Sequence, residues 1–258
     1  MVSPDSDEWA FPNRATPLGS PAYYAVRFSP EDQRQRNALL LAWHALIDEI
    51  ADHPRDPGVA RIKLDWWRNE VATLADGQPR HPLALALRAS GLGNSVIAPM
   101  QQLIDAAEQT LLAGDPHDDH AFATACRASD GALFVLLASA DGGRQYDHGL
   151  CTETGGYCAA VERVRQVAAR PERLPPDARR DTLEALDSTQ RTARFESLLA
   201  QFALPPAADQ ARLPDTVRRL TALGVAMQRK LRRTGYPVFD TLVDRPPVAH
   251  LWTAWRCR

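Results

Sequence analysis

Cysteine is scarce and scattered in this chain. Cys126, Cys151, Cys158 and Cys257 form no CxxC pair, and their spacing encodes neither a zinc site nor a disulfide framework. A reduced, cytoplasmic setting is therefore expected. Long apolar runs are also missing, since no segment reaches the eighteen or so uninterrupted apolar residues of a membrane span. The N-terminus, with Asp5, Asp7 and Glu8, lacks the basic start of a signal peptide. A soluble protein is expected, with peripheral contact at the inner face of a membrane left open. Charge of one sign is lacking too: the net charge is −2, with acids and bases interspersed, so there is no electrostatic footprint for nucleic acid. Internal repeats, low-complexity tracts and strand-like alternation are all absent.

What remains is a helical pattern. At 258 residues, 45% hydrophobic and 24% charged, the chain can bury a core near the upper limit for one domain. Residues 1–20, with Pro4, Pro12, Pro17 and Gly19, read as a flexible N-terminal arm, and residues 21–258 as a single all-α domain. Ser29-Pro30 opens a helix that runs to Asp52, and Asp56-Pro57 opens a second that stops at Gly77. Helical patterns follow over 82–89, 95–113, 120–140, 151–170, 215–233 and 247–256. Trp43, Leu46, Ile50, Trp66 and Trp67 form the expected inward stripe of the first two helices.

Chemistry gathers first at IDEIAD. Asp48 and Asp52 lie four residues apart and so share one helix face, and such a pair can hold Mg²⁺ together with substrate phosphates. On the residues alone, a solvated acidic face explains the pair as well. Asp115, His117, Asp118, Asp119 and His120 follow Gly114 and read as a polar capping loop rather than a metal site. Arg229, Lys230, Arg232 and Arg233 cluster at a helix C-terminus, where cations suit the dipole.

Taken in order, Ser20, Tyr23, Tyr24, Asp48, Asp52, Trp67 and Arg68 resemble the N-terminal signature of the squalene/phytoene synthase family, and residues 229–256 resemble its closing helices. The resemblance implies an isoprenoid-synthase-like helical bundle around a central apolar cavity. It also implies Mg²⁺ held by aspartates of two facing helices and head-to-head joining of allylic diphosphates. Gly131 resembles a mid-chain glycine that lets backbone approach an isoprenoid tail, close helix packing being the alternative. The family's second aspartate motif is missing: with Leu174-Pro175 setting the register, Arg165 matches its arginine while Gln166 and Arg170 stand at its aspartate positions.

By resemblance, Asp48 and Asp52 are the catalytic and weak metal-binding candidates, and Ser20, Tyr23, Tyr24, Arg68, Arg165 and Arg170 the substrate-binding ones. Ser20 is expected to point toward a diphosphate, and Tyr23, Tyr24 and Phe28 either to close one end of the cavity or to anchor the tail. Two readings follow. One is a catalytically degenerate member that keeps an isoprenoid- or lipid-binding cavity and serves as a carrier or, with a protein partner, as an assembly protein. The other is an active Mg²⁺-dependent prenyltransferase. If the two motif helices face each other as the resemblance implies, an ion pair from Arg170 to Asp48 or Asp52 is expected, the alternative being an Arg170 turned out to solvent. Such a pair attracts by roughly 4 kcal/mol at about 4 Å and an effective dielectric of about 20, before desolvation.

Overall fold

The computed structural model describes residues 8–52, 54–142, 144–210 and 212–257. Among these there is no strand. Helix α1 (Pro21–Arg27) starts where the Ser20 hydroxyl accepts the Tyr23 amide at 3.0 Å. Helix α2 (Glu31–Ala51) carries Glu31 and Asp32 in its first turn, where the dipole favours them. Helix α3 (Pro57–Asp76) is capped by Asp56, which accepts the Gly58 amide at 2.7 Å, and it ends at Gly77 with φ 75°, a left-handed conformation that suits glycine. The short α4 (Pro82–Ala89) leads to α5 (Ile97–Ala113).

Helices α6 (Asp119–Cys126) and α7 (Ala132–Ala140) are joined by a π-helical turn, Arg127–Gly131, into one continuous helix. Long and apolar enough to cross a membrane by length and composition, this helix is half buried in the bundle, where Phe122, Leu133, Phe134, Leu136 and Leu137 are core. Next come α8 (His148–Arg165), α9 (Arg180–Leu183), α10 (Ser188–Leu199), α11 (Ala207–Gln210), α12 (Asp215–Arg233) and α13 (Pro247–Arg256).

One apolar cluster fills the space between α2, α3, α4, α5 and α7 around Trp43, and another lies between α6, α8, α10 and the end of α12 around Phe122 and Phe195. A third, smaller one, made of Ala25, Leu223 and Ala254 with Tyr24 and Phe28 against it, seals α1 and α13 onto α12. A buried polar network ties α2 to α12: the Asn37 amide donates to the Thr216 hydroxyl at 2.8 Å, and that hydroxyl lies 2.6 Å from the Ser29 hydroxyl.

A close approach of two helix backbones falls at the π turn. A Cβ on Gly155 of α8 would lie 2.2 Å from the Asp130 carbonyl oxygen, and one on Gly131 would lie 2.8 Å from that of Thr152, so only glycine lets the backbones meet. Of the two roles open to Gly131, the structure displays close helix packing.

Three expectations change. Trp66 is 45% exposed while Trp67 is 4% exposed, because neighbouring residues on a helix point about 100° apart and only one can face inward; Leu46 and Ile50 are half-buried. The arm expected over residues 1–20 is packed from residue 8 onward, residues 1–7 lying outside the described residues. Trp9, Asn13 and Thr16 are buried, and the Asn13 amide donates to the Ala38 carbonyl of α2 at 3.1 Å. Its prolines rule out a helix without ruling out burial. Finally, the helix expected over 151–170 ends at Arg165, since Pro171 disfavours a helical residue before it. Trp67→Ala is expected to lower stability by about 3–5 kcal/mol and Trp66→Ala by less than about 1 kcal/mol, measured by thermal denaturation.

Candidate functional site

The end of α2 presents Asp48 and its C-cap Asp52, the end of α8 presents Glu162, Arg163 and its C-cap Gln166, the π turn presents Asp130, and the segment after α8 presents Arg170 and Arg173; together they line a polar recess of about 380 Å³. Asp130 and Glu162 also border an apolar cavity of about 190 Å³, walled by Leu41, Leu133, Phe134, Val161, Leu223 and Met227. A charged mouth thus adjoins an apolar chamber, the shape required by a ligand with an anionic head and a hydrocarbon tail.

Both aspartates at the end of α2 are engaged by arginine. Arg170 pairs with Asp52, as expected. Arg173, which was not foreseen, reaches both carboxylates, 2.9 Å from Asp52 and 3.3 Å from Asp48. The Asp52 side chain is only 14% exposed, so this contact is screened less than a surface ion pair would be.

On α8 the residue that sequence reasoning missed is Glu162. Glu162 and the C-cap residue Gln166 repeat at the end of α8 the spacing of Asp48 and Asp52 at the end of α2, and they line the recess together with Arg170, which lies farther beyond the helix end. That repeated four-residue spacing was the available signal. Arg165 forks onto Glu162 at 2.6 and 2.7 Å and also donates to the Val243 carbonyl at 3.2 Å, while the Gln166 amide donates to the same carboxylate. Arg165 therefore acts on the mouth through Glu162. Arg163 donates to neutral oxygens, the Ala125 carbonyl at 3.4 Å and the Ser129 hydroxyl at 3.5 Å.

Burial pushes the Asp130 carboxyl above its ordinary range; His44, with Nε2 at 3.8 Å, pulls it back, and Asp48 pushes it further up. Burial likewise lifts the Cys126 thiol to about 11 and the Cys151 thiol to about 12, which disfavours their thiolates.

The remaining candidates lie away from the mouth. Ser20 caps α1, Tyr23 stacks on Phe11 with ring centroids 5.3 Å apart, and Tyr24 packs against α12 and α13, which is the anchoring arrangement. Helix α1 meets the apolar chamber through Pro21 instead. Arg68 is drawn into ion pairs between α3 and α5, with Asp65, with Asp105 at 2.8 Å and with Glu108 at 3.0 Å. The Asp115–His120 segment is the expected capping loop: Asp118 accepts the Ala121 amide at 2.7 Å, and Asp115 pairs with Arg179 at 3.1 Å.

Asp48 and Asp52 are the pair that could hold Mg²⁺. The donor set does not fit a resident dication, however. Two guanidinium groups already occupy the carboxylates, Gln166 presents an amide opposite them, and among the described residues no three acids, histidines or cysteines gather as a metal site.

The sequence profile of squalene/phytoene synthases matches residues 18–169. This chain belongs to the squalene/phytoene synthase family. A presqualene diphosphate synthase of Rhodopseudomonas palustris is 35% identical over 98 residues, and that match spans 34% of each chain. Among solved structures, a dehydrosqualene synthase in complex with ligand superposes with a TM-score of 0.63 at 13% identity, covering 91% of this chain and 90% of its own. A squalene synthase of Alicyclobacillus acidocaldarius gives a TM-score of 0.61 at 19% identity, over 86% of this chain and 92% of its own. These likenesses give the fold, the isoprenoid-synthase bundle.

Because the Asp130 carboxyl is raised in the folded protein, its neutral form is favoured there. It costs stability as pH rises from the unfolded-state value near 3.8 through the folded value, and the full cost is present above both. Asp130→Asn is accordingly expected to raise the melting temperature at pH 7 and to change it much less near pH 4.

Proposed function

We propose that this protein binds an isoprenyl diphosphate or a related isoprenoid, with the hydrocarbon in the apolar chamber and the phosphates at the mouth, and that it acts as a binding or assembly protein rather than a transferase. The observation that carries this reading is the arginine pair on Asp48 and Asp52. Guanidinium forks match phosphate oxygens well. Arg170 and Arg173 therefore supply, from the chain itself, positive charge that Mg²⁺ would otherwise bring, and Arg163 adds a third guanidinium whose hydrogen bonds among the described residues go to neutral oxygens. Bound phosphates would draw Arg170 and Arg173 away from the aspartates and onto the anion.

The second reading, an Mg²⁺-dependent prenyltransferase, is favoured by the partial identity to a presqualene diphosphate synthase. It requires the arginines to leave Asp48 and Asp52 in exchange for metal, with Gln166 contributing no charge. Calorimetric titration with farnesyl diphosphate, in chelator and in Mg²⁺, separates the two when combined with a diphosphate-release assay. The expected result is binding that survives chelation, weakens roughly tenfold or more in Arg173→Ala, and is followed by no release of diphosphate. Mg²⁺-dependent release would return the protein to the transferases.

A further inference from the structure

We infer that the outer face of α13 is a membrane-docking surface whose occupant is the headgroup layer of a bilayer carrying anionic lipid. The helix has two faces. His250 and Ala254 are buried, Ala254 against Ala25 and Leu223. Val248 (69% exposed), Leu251 (39%), Trp252 (54%) and Trp255 (42%) form the opposite stripe at helical spacing. The two indoles stack with centroids 5.2 Å apart, and the Arg256 guanidinium lies 5.8 Å from the Trp252 ring. Leu18, 75% exposed, extends the patch, since the neighbouring Gly19 sits against Pro247 with room for a Cβ only 3.3 Å from its ring.

Chemistry at this face favours lipid as the occupant. An indole has an apolar body and one N–H, and suits the boundary where tails meet headgroups. No carboxylate stands anywhere on α13. Cations border its outer side, Arg256 at its end and Arg245 donating to the Thr253 hydroxyl at 3.1 Å. Arg218, which donates to the Cys257 carbonyl at 3.2 Å, is paired with Asp215 at 2.7 Å, and the Asp244 carboxylate lies 3.7 Å from His250 on the buried face. An apolar stripe edged by guanidinium groups complements an anionic surface. The apolar chamber lies behind this helix: its wall includes His250 on the buried face of α13, and also the exposed Pro21 of α1. Docking would leave only α13 between the chamber and the membrane, where a water-insoluble isoprenoid resides; this last consequence rests on the ligand proposed above, whereas the docking itself does not.

Sedimentation with vesicles of phosphatidylcholine, with and without phosphatidylglycerol, tests the inference on the full chain without any isoprenoid. The wild type is expected to bind the anionic vesicles with a blue shift of its tryptophan emission. Binding should fall roughly tenfold or more in the Trp252→Ala, Trp255→Ala double variant. Arg256→Gln should lose about fivefold on anionic vesicles and nothing on neutral ones. Val248→Ser, at the far end of the stripe, provides a second variant that leaves the indole pair intact and should lose severalfold. All three should melt as the wild type does and bind geranyl diphosphate equally well in solution, which keeps this test apart from that of the ligand reading. A wild type that stays in the supernatant, variants that bind as it does, or concentration-dependent dimerisation through this face in place of vesicle binding would each overturn the inference.

Discussion

Two carboxylates four residues apart, pressed against the edge of a bundle, require positive charge beside them, and the organisation of the mouth follows from how this chain meets that requirement. Asp52 is nearly covered, and an unpaired buried carboxylate is costly. The charge comes from Arg170 and Arg173, placed by the early end of α8 and the Pro171 turn after it. Had α8 continued to residue 170, Arg170 would sit on a helix face a turn beyond Gln166 instead of in a turn free to swing onto α2. The same ending leaves Glu162 and Gln166 as the last mouth-facing turn of α8, with Arg165 folded back to hold Glu162 in place.

The bundle supports this mouth through contact between bare backbones. Gly131 and Gly155 let the π turn lie against α8, and that approach puts Asp130 next to Glu162 where the polar recess meets the apolar chamber. A π turn inside a helix costs regular hydrogen bonding and commonly marks a functional site. Here it aims one carboxyl into a partly dry position, and the resulting upward shift of Asp130 is a trace of that placement.

Much of this was legible in the sequence, for physical reasons that can be named. Helices α2, α3, α12 and α13 carry their own start and stop signals, so their bounds could be read to within a residue or two. The Asp48–Asp52 pair followed from spacing, and its contact with Arg170 from charge together with the facing of the two motif helices that the family resemblance implies. Glu162 was missed because the register was taken from Arg165, Gln166 and Arg170, which overlooked the equal spacing of Glu162 and Gln166. Arg173 was missed because a residue in a short turn carries no periodicity to say where it points. The segment from Trp9 to Thr16 was misread since proline and glycine content reports helix breaking, whereas burial depends on partners distant in sequence, such as Ala38. Trp66 and Trp67 could not be told apart by hydrophobicity, only by helical phase.

The central claim is that guanidinium groups, not metal, neutralise the Asp48–Asp52 pair. A crystal structure with Mn²⁺ and a non-hydrolysable isoprenyl diphosphate analogue tests it most directly, because manganese reveals itself by anomalous scattering. The account predicts no anomalous peak at Asp48 and Asp52, with Arg170 and Arg173 on the aspartates or on the phosphates. A manganese peak bridging the two carboxylates to the diphosphate would contradict it.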